Sequence, residues 1–389
     1  MLIKLDIEKA YDSLSWNAIL ATLTKMKFPG RWINWIKVCI SKVSFALLIN
    51  KSPSNWFNST RRLRQRDPIS PYLFILIAQN LTSMLNFAMA NNMIPGFNSG
   101  LSNNFNHLMY VDNLILITQA SRKISRNVKL CLSIYGILTG QKLNNSKSEI
   151  IFPSRFNMRL KNSISRILGY KVGSFSFNYL GILISPKKLA LSYFSSLVNK
   201  IEKSVTFWKK SRISLAGKTI LINSAIMSTP LYYLSAYPVP DSILDRITKA
   251  ARAFFWSKDC NRNGIHSVEW NEITLNRSEG GLSVGDLGLS KISLMAKNVI
   301  RMVNNSNVWW VSIMNKKYGN FNIWADIVPA SCSWFYRGLY RNAKHIRPYL
   351  WINIINPAET SFLNDPWYFE LPLSHKPTYL NMDIDNSMV

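Results

Sequence analysis

Leu108-Met-Tyr-Val-Asp-Asn-Leu-Ile-Leu-Ile117 sets one carboxylate and one carboxamide between two apolar runs. Two strand-like segments broken at Asp112-Asn113 predict a tight β-hairpin over 107–118, buried on at least one face. Asp and Asn tolerate the left-handed backbone of such turns, so a plain surface turn explains the pair as readily as chemistry does. The rest of the chain has to decide between them.

The chain is 389 residues long, 48% hydrophobic and 12% aromatic, which is the composition of a folded protein of two or three domains. Lys and Arg number 47 against 20 Asp and Glu, a formal charge of +27. Such an excess points to a polyanionic partner, with nucleic acid favoured over a membrane. Cys39, Cys131, Cys260 and Cys332 are scattered without a CxxC pair, so neither a disulfide frame nor a zinc site is expected. The opening residues lack a signal-peptide core, and no uninterrupted apolar run approaches the roughly 18 residues of a membrane span. An intracellular protein, nuclear or cytoplasmic and not secreted, is the expectation.

Working outward from the hairpin, residues 2–5 predict a short strand that ends at Asp6. Helical patterns follow around 14–27 and 31–41, split by Pro29-Gly30. Ser44–Ile49 and Trp56–Thr60 read as strands flanking a Lys-Ser-Pro-Ser turn. A mostly buried helix is predicted through Ala90, with Ser70 as its cap. After the hairpin come a helix over about 122–138, ended near Gly140, and short strands near 149–152 and 178–184. This alternation suggests an α/β layer up to about 185. Beyond it, basic helices are expected near 187–210, 213–229 and 241–256. The last stretch, 257–389, is rich in Trp and Asn and poorly periodic, with a turn at Gly280-Gly281.

Asp6 ends one predicted strand and Asp112 tips a hairpin. Brought to one sheet edge, two such carboxylates can hold hard divalent cations through oxygen. A pair of metals is the usual clamp for in-line phosphoryl displacement. Spacing alone leaves that reading open.

Five stretches carry a resemblance. Lys4-Leu-Asp-Ile-Glu-Lys-Ala-Tyr-Asp-Ser-Leu-Ser-Trp16 comes first, then Arg61-Arg-Leu-Arg-Gln-Arg-Asp-Pro-Ile-Ser-Pro-Tyr-Leu-Phe74 and His107-Leu-Met-Tyr-Val-Asp-Asn113. Leu138-Thr-Gly-Gln-Lys-Leu-Asn-Asn-Ser-Lys-Ser148 and Tyr179-Leu-Gly-Ile-Leu-Ile-Ser185 follow in order. Together they resemble the palm motifs of non-LTR (LINE-type) retrotransposon reverse transcriptases, especially plant ones. Leu215-Ala-Gly-Lys-Thr-Ile-Leu-Ile222, Gly280-Gly-Leu282 and Asp365-Pro-Trp367 resemble the weaker downstream pattern of the same elements.

The resemblance implies an α+β reverse-transcriptase palm over 1–185, a ferredoxin-like antiparallel sheet with helices and with its fingers truncated. A helical thumb over 186–256 and a mostly helical C-terminal extension over 257–389 would follow. It implies RNA-directed DNA synthesis on an RNA template and DNA primer, consuming deoxynucleotides and assisted by two Mg²⁺ (or Mn²⁺) ions. Asp6 and Asp112 would bind the metals, with Asn113 beside them. Tyr11 would gate the ribose 2′ position, and Gln65 and Arg66 would lie at the incoming nucleotide. Asp12 would cap the following helix. Lys147 would protonate or neutralise the leaving pyrophosphate. Tyr179, Leu180 and Gly181 would form the primer grip. Nothing implies a membrane role or an oligomer.

The sequence also departs from that family. Asp112-Asn113 stands where the family has Asp-Asp, removing a full negative charge beside the cations. Arg62 and Arg66 stand in place of glycines, and Arg66 brings a long cation to the nucleotide pocket. An impaired polymerase is therefore expected; a basic, non-catalytic nucleic-acid-binding remnant is the alternative.

Overall fold

The computed structural model describes residues 1–58, 63–64, 67–97, 104–211, 213–257, 265–304, 308–325 and 328–350. It divides into two compact units, Met1–Pro186 and Lys187–Val389.

The first unit is built around β1 (Leu2–Glu8), whose burial alternates so that Ile3, Leu5 and Ile7 face one way and Lys4 and Asp6 the other. The strand runs past Asp6, so Asp6 lies within it and not at its end as the sequence predicts. Helices α1 (Trp16–Lys25) and α2 (Gly30–Ser41) follow, joined through Pro29. Four two-residue strands come next: β2 (Ser44–Phe45), β3 (Leu48–Ile49), β4 (Ser52–Pro53) and β5 (Phe57–Asn58). They nest as β2–β5 and β3–β4 pairs. Their turn centres on Asn50 and Lys51, both at positive φ, and not on the Pro53 stretch.

Helix α3 (Ser70–Ala90) leads to the hairpin β6 (His107–Tyr110) and β7 (Asn113–Ile117). Ser70 does not cap α3: it is the first helical residue, and its buried Oγ has no hydrogen-bond partner. Helix α4 (Arg122–Thr139) is capped by Ser121 and ends at Gly140 in the left-handed conformation, as expected. Then come β8 (Lys142–Leu143), β9 (Glu149–Ile151), α5 (Met158–Leu168), β10 (Lys171–Val172), β11 (Phe177–Tyr179) and β12 (Ile182–Ile184). The predicted strand at 178–184 is thus a hairpin.

The sheet order is β10-β9-β1-β7-β6, with β8 paired to the end of β1. All neighbours are antiparallel except β10 and β9. Ile3, Leu5, Leu114, Leu116 and Ile150 share one core with residues from all five helices, among them Ile19, Ile36, Leu73, Val128 and Ile164. Helices therefore cover one face of a mostly antiparallel sheet. This is α+β, not the α/β layering that simple alternation suggests. Helix α3 is long and apolar enough to cross a membrane by length and composition. Leu73, Phe74, Ile77, Leu81 and Leu85 on its inner side are nevertheless part of this core.

The second unit is helical among its described residues. A 3₁₀ turn (Leu191–Phe194) leads into α6 (Ser195–Trp208). Helices α7 (Leu215–Leu221) and α8 (Ser228–Ala236) are joined by a π turn, and α9 (Asp241–Phe255) follows. The stretch read as poorly periodic holds α10 (Trp270–Thr274), α11 (Leu287–Val303), α12 (Trp309–Tyr318) and α13 (Trp334–Ile346). The last three share a core around Met295, Val299, Val311, Tyr336 and Leu339. The Leu215-Ala-Gly-Lys motif has a structural use. Lys218 Nζ donates to the Phe255 carbonyl at 3.3 Å and to the Ser257 carbonyl, closing the C-terminus of α9. Gly281 sits so near the Leu275 carbonyl, 2.1 Å from where a Cβ would be, that no side chain fits there.

Candidate active site

Register alone brings the two aspartates together. β1 pairs antiparallel with β7 so that Asp6 lies directly opposite Asn113, and β6–β7 pairs Tyr110 with Asn113. Val111 and Asp112 are left as the two-residue turn, and the Ile7 amide donates to the Asp112 carbonyl at 3.0 Å. Val111 takes φ of 52°, a conformation a β-branched residue enters only with strain. Asp6, Asp112 and Asn113 are all half-buried.

Asn113 is not idle. Its Nδ2 donates to Asp112 Oδ1 at 2.9 Å. A second carboxylate there would repel Asp112; the carboxamide instead satisfies one of its oxygens and keeps its own Oδ1 as a neutral acceptor.

The far side of Asp6 is held by the loop between β8 and β9. The Asn144 amide donates to the Asp6 carbonyl at 2.8 Å, and the Asp6 amide donates to Ser148 Oγ at 3.3 Å. Asn144 Oδ1 in turn accepts from the Ser146 amide, the Ser146 hydroxyl and the Lys147 amide at 3.1, 2.6 and 3.2 Å. This Asx turn fixes the backbone of Asp6 and carries the exposed Lys147. The resemblance of the Leu138–Ser148 stretch takes in Asn144 and Ser148 but assigns neither a role, although an Asn-Asn-Ser run between two strand-like segments is a turn signature.

Asp6 shares its side of the sheet with Asn113, Ile115 and Ile117, because cross-strand partners point the same way. Phe177 packs on this side with Ile115 and Ile151, and Tyr179 lies against them. The β11–β12 hairpin therefore sits on the aspartate face, opposite the helices. Leu180 and Gly181 are its two turn residues, at φ of 51° and 78°, as a primed turn requires. Burial raises the pKa of the Tyr179 phenol.

Tyr11 is half-buried, with its ring 5.0 Å from that of Phe74, and its carbonyl accepts from the Leu63 amide at 3.0 Å. Asp12 does not cap α1, whose N-cap position belongs to Ser15. Arg64 pairs with Asp67 at 2.7 Å just ahead of α3. Gln65 and Arg66 lie outside the described residues.

The donor set at the turn is all oxygen: two carboxylates, the Asn113 carboxamide and backbone carbonyls. Such a set suits a hard cation like Mg²⁺ or Mn²⁺ rather than Zn²⁺. Among the described residues no group of three or more His, Cys, Asp or Glu stands ready to enclose an ion. The residues fit an open site, with the remaining coordination positions left to groups from outside the protein.

Residues 1–184 match the model of the family described as reverse transcriptase (RNA-dependent DNA polymerase). The chain is 23% identical over 287 residues, 72% of its length, to the transposon TX1 uncharacterized 149 kDa protein of Xenopus laevis. It is 30% identical over 115 residues, 30% of its length, to the Pol polyprotein of the type-1 retrotransposable element R2 of Nasonia vitripennis. The chain spans 21% of the Xenopus protein and 10% of the Nasonia one. A telomerase structure from Candida albicans aligns over 91% of this chain and 51% of its own, with 11% identity and a TM-score of 0.42, too distant to bear on the fold. The Xenopus match is longer than the family domain itself, so the likeness to transposon proteins runs past residue 184. The first 184 residues thus carry a reverse transcriptase domain, and the relatives the chain resembles are proteins of non-LTR retrotransposons.

Proposed function

We propose that this chain binds RNA template and DNA primer and adds deoxynucleotides to the primer 3′-OH, at a rate lowered by its own substitutions. Reverse transcriptase domains copy RNA and generally use divalent metal ions. The observation that carries the reading is the pairing of Asp6 with Asn113 across β1 and β7, with Asp112 in the adjoining turn.

Asp6 and Asp112 would hold two Mg²⁺ or Mn²⁺ ions. Bound there, the ions supply an activated 3′-hydroxyl and charge neutralisation on the departing pyrophosphate. Asn144 and Ser148 hold the Asp6 backbone still, so the carboxylate is aimed before substrate arrives. Lys147 offers a proton or a positive charge to the pyrophosphate. Tyr11 discriminates against a ribose 2′-hydroxyl, and the Tyr179–Gly181 turn positions the primer strand.

Two substitutions lower the rate. Asn113 is neutral where a carboxylate would strengthen cation binding, and losing one such group commonly costs ~10²–10³ in rate. Arg66 stands where the family has a glycine, adding a long cationic side chain at a position the family keeps without one. The test is primer extension on an RNA template with Mg²⁺ or Mn²⁺. Slow extension that disappears in Asp6→Ala supports the proposal. No extension even in an Asn113→Asp/Arg66→Gly double variant refutes it and favours a non-catalytic nucleic-acid binder, for which the net charge of +27 speaks.

A further inference from the structure

The helical side of the first unit carries a charge distribution that the aspartate face does not use. Between Asp112 and Glu202 the sequence holds one acidic residue, Glu149, and that one is paired with Lys171 at 3.0 Å. Helix α4, helix α5 and the loop before α5 hold Arg122, Lys123, Arg126, Lys129, Arg155, Arg159, Lys161 and Arg166. All are exposed except Lys161, which is half-buried, and none is in an ion pair among the described residues.

The arrangement is directional. Arg122, Arg126 and Lys129 recur at helical spacing and form one stripe along α4. Lys129 lines a cavity of about 340 Å³ together with Leu168 and Gly169 at the end of α5, so the stripe runs on the α5 side of its helix. The other flank of α4 is apolar, with Leu130 and Ile134 beside Met84 and Phe87 of α3. Neither helix has an acidic residue in its first turn. Arg122, Lys123, Arg159 and Lys161 stand there instead, where the helix dipole disfavours cations. A solvated surface normally mixes signs. This one stacks positive charge against the dipole, which suits a surface completed by a polyanion.

We infer that α4 and α5 form a second RNA-binding surface, contacting the phosphate backbone of template RNA outside the copying cleft. The surface is distinct from the candidate active site, since Asp6 points to the opposite side of the sheet from the core that α4 and α5 cover. The choice of RNA rests on the proposed function; the surface itself rests on charge and placement.

The test uses the full chain and an unprimed RNA hairpin in EDTA, so that loss of the metal site leaves the readout unchanged. Fluorescence anisotropy is followed as a function of salt. Arg122→Gln/Arg126→Gln/Arg159→Gln/Arg166→Gln should weaken binding at least ~30-fold at 0.1 M salt and flatten the slope of log K against log salt by about 3, at roughly 0.7–0.9 per phosphate contact. Lys25→Gln/Lys27→Gln/Lys37→Gln/Lys42→Gln removes equal charge from α1, α2 and the residues just after each, and should change binding less than about threefold. Equal loss in both variants, or an unchanged slope in the first, overturns the inference. A second measurement needs no variant: RNA should protect Lys123, Lys129 and Lys161 from acetylation while leaving Lys25 and Lys37 reactive. Uniform protection, or protection by phosphatidylserine vesicles but not by RNA, overturns it. Failure of primer extension with the RNA results intact would refute the polymerase reading alone.

Discussion

Asn113 faces Asp6 across the β1–β7 ladder and donates a 2.9 Å hydrogen bond to Asp112, so one neutral side chain stands between two carboxylate-bearing residues. The arrangement spares Asp112 the repulsion of a second carboxylate, and under the proposed function it does so at the expense of cation affinity.

Asn113→Asp should therefore have opposite effects with and without metal. Without it, the amide hydrogen bond is lost and two carboxylates adjoin, costing about 1–2 kcal/mol. With Mn²⁺ the third carboxylate becomes a ligand. Thermal melts should show a lower midpoint in EDTA and a larger Mn²⁺-induced rise than the parent, and primer extension should increase ~10²-fold. A midpoint insensitive to Mn²⁺ would show that the added carboxylate meets no cation.

The Asn144 turn provides a second check. Asn144→Ala removes the acceptor for three hydrogen bonds and frees the strap on Asp6. A loss of about 1 kcal/mol in denaturant melts is expected. Asn144→Asp should recover most of it, because a carboxylate can accept the same bonds. Ser148→Ala should cost less in stability, yet lower kcat more than it raises KM for deoxynucleotide, since it acts through the aim of Asp6.

The hairpin turn at Leu180-Gly181 stores strain in a residue that is not glycine. Leu180→Asn gives the residue pair favoured for this turn and should stabilise the first unit by roughly 1 kcal/mol. Leu180→Val should do the reverse. Urea midpoints distinguish the two directions.

His107 opens β6, and burial lowers its pKa below the ordinary value of 6.5. Its Nδ1 lies 2.6 Å from Asn106 Oδ1. The unfolded chain therefore binds the proton more readily than the native one. Stability conferred by the neutral ring is complete above pH 6.5 and is lost as pH falls from 6.5 toward the lowered native value. His107→Gln should flatten the stability profile over that interval; an unchanged profile would assign the acid sensitivity elsewhere.

Much of the first unit was legible in the sequence because its signals are long. The apolar runs on either side of Asp112-Asn113 and the apolar run of α3 each extend over a full strand or helix, and Gly140 marks the end of α4. Strands β8 and β10 were not legible, since two residues carry no period. Helix α5 was missed because Arg159, Lys161, Asn162 and Arg166 dilute its apolar stripe of Leu160, Ile164 and Leu168. The aspartate pair was legible by motif, but the strap from Asn144 and Ser148 was not. Those contacts span more than a hundred positions, and only the antiparallel pairing of β1 with β8 and β9 brings them together.

The most direct measurement is Mn²⁺ binding to the full chain on an RNA–DNA hybrid, read by electron paramagnetic resonance. Bound Mn²⁺ should be lost in Asp6→Asn and in Asp112→Asn alike, and retained in Lys147→Ala. Undiminished Mn²⁺ binding in both aspartate variants would contradict a shared cation site between β1 and the β6–β7 turn.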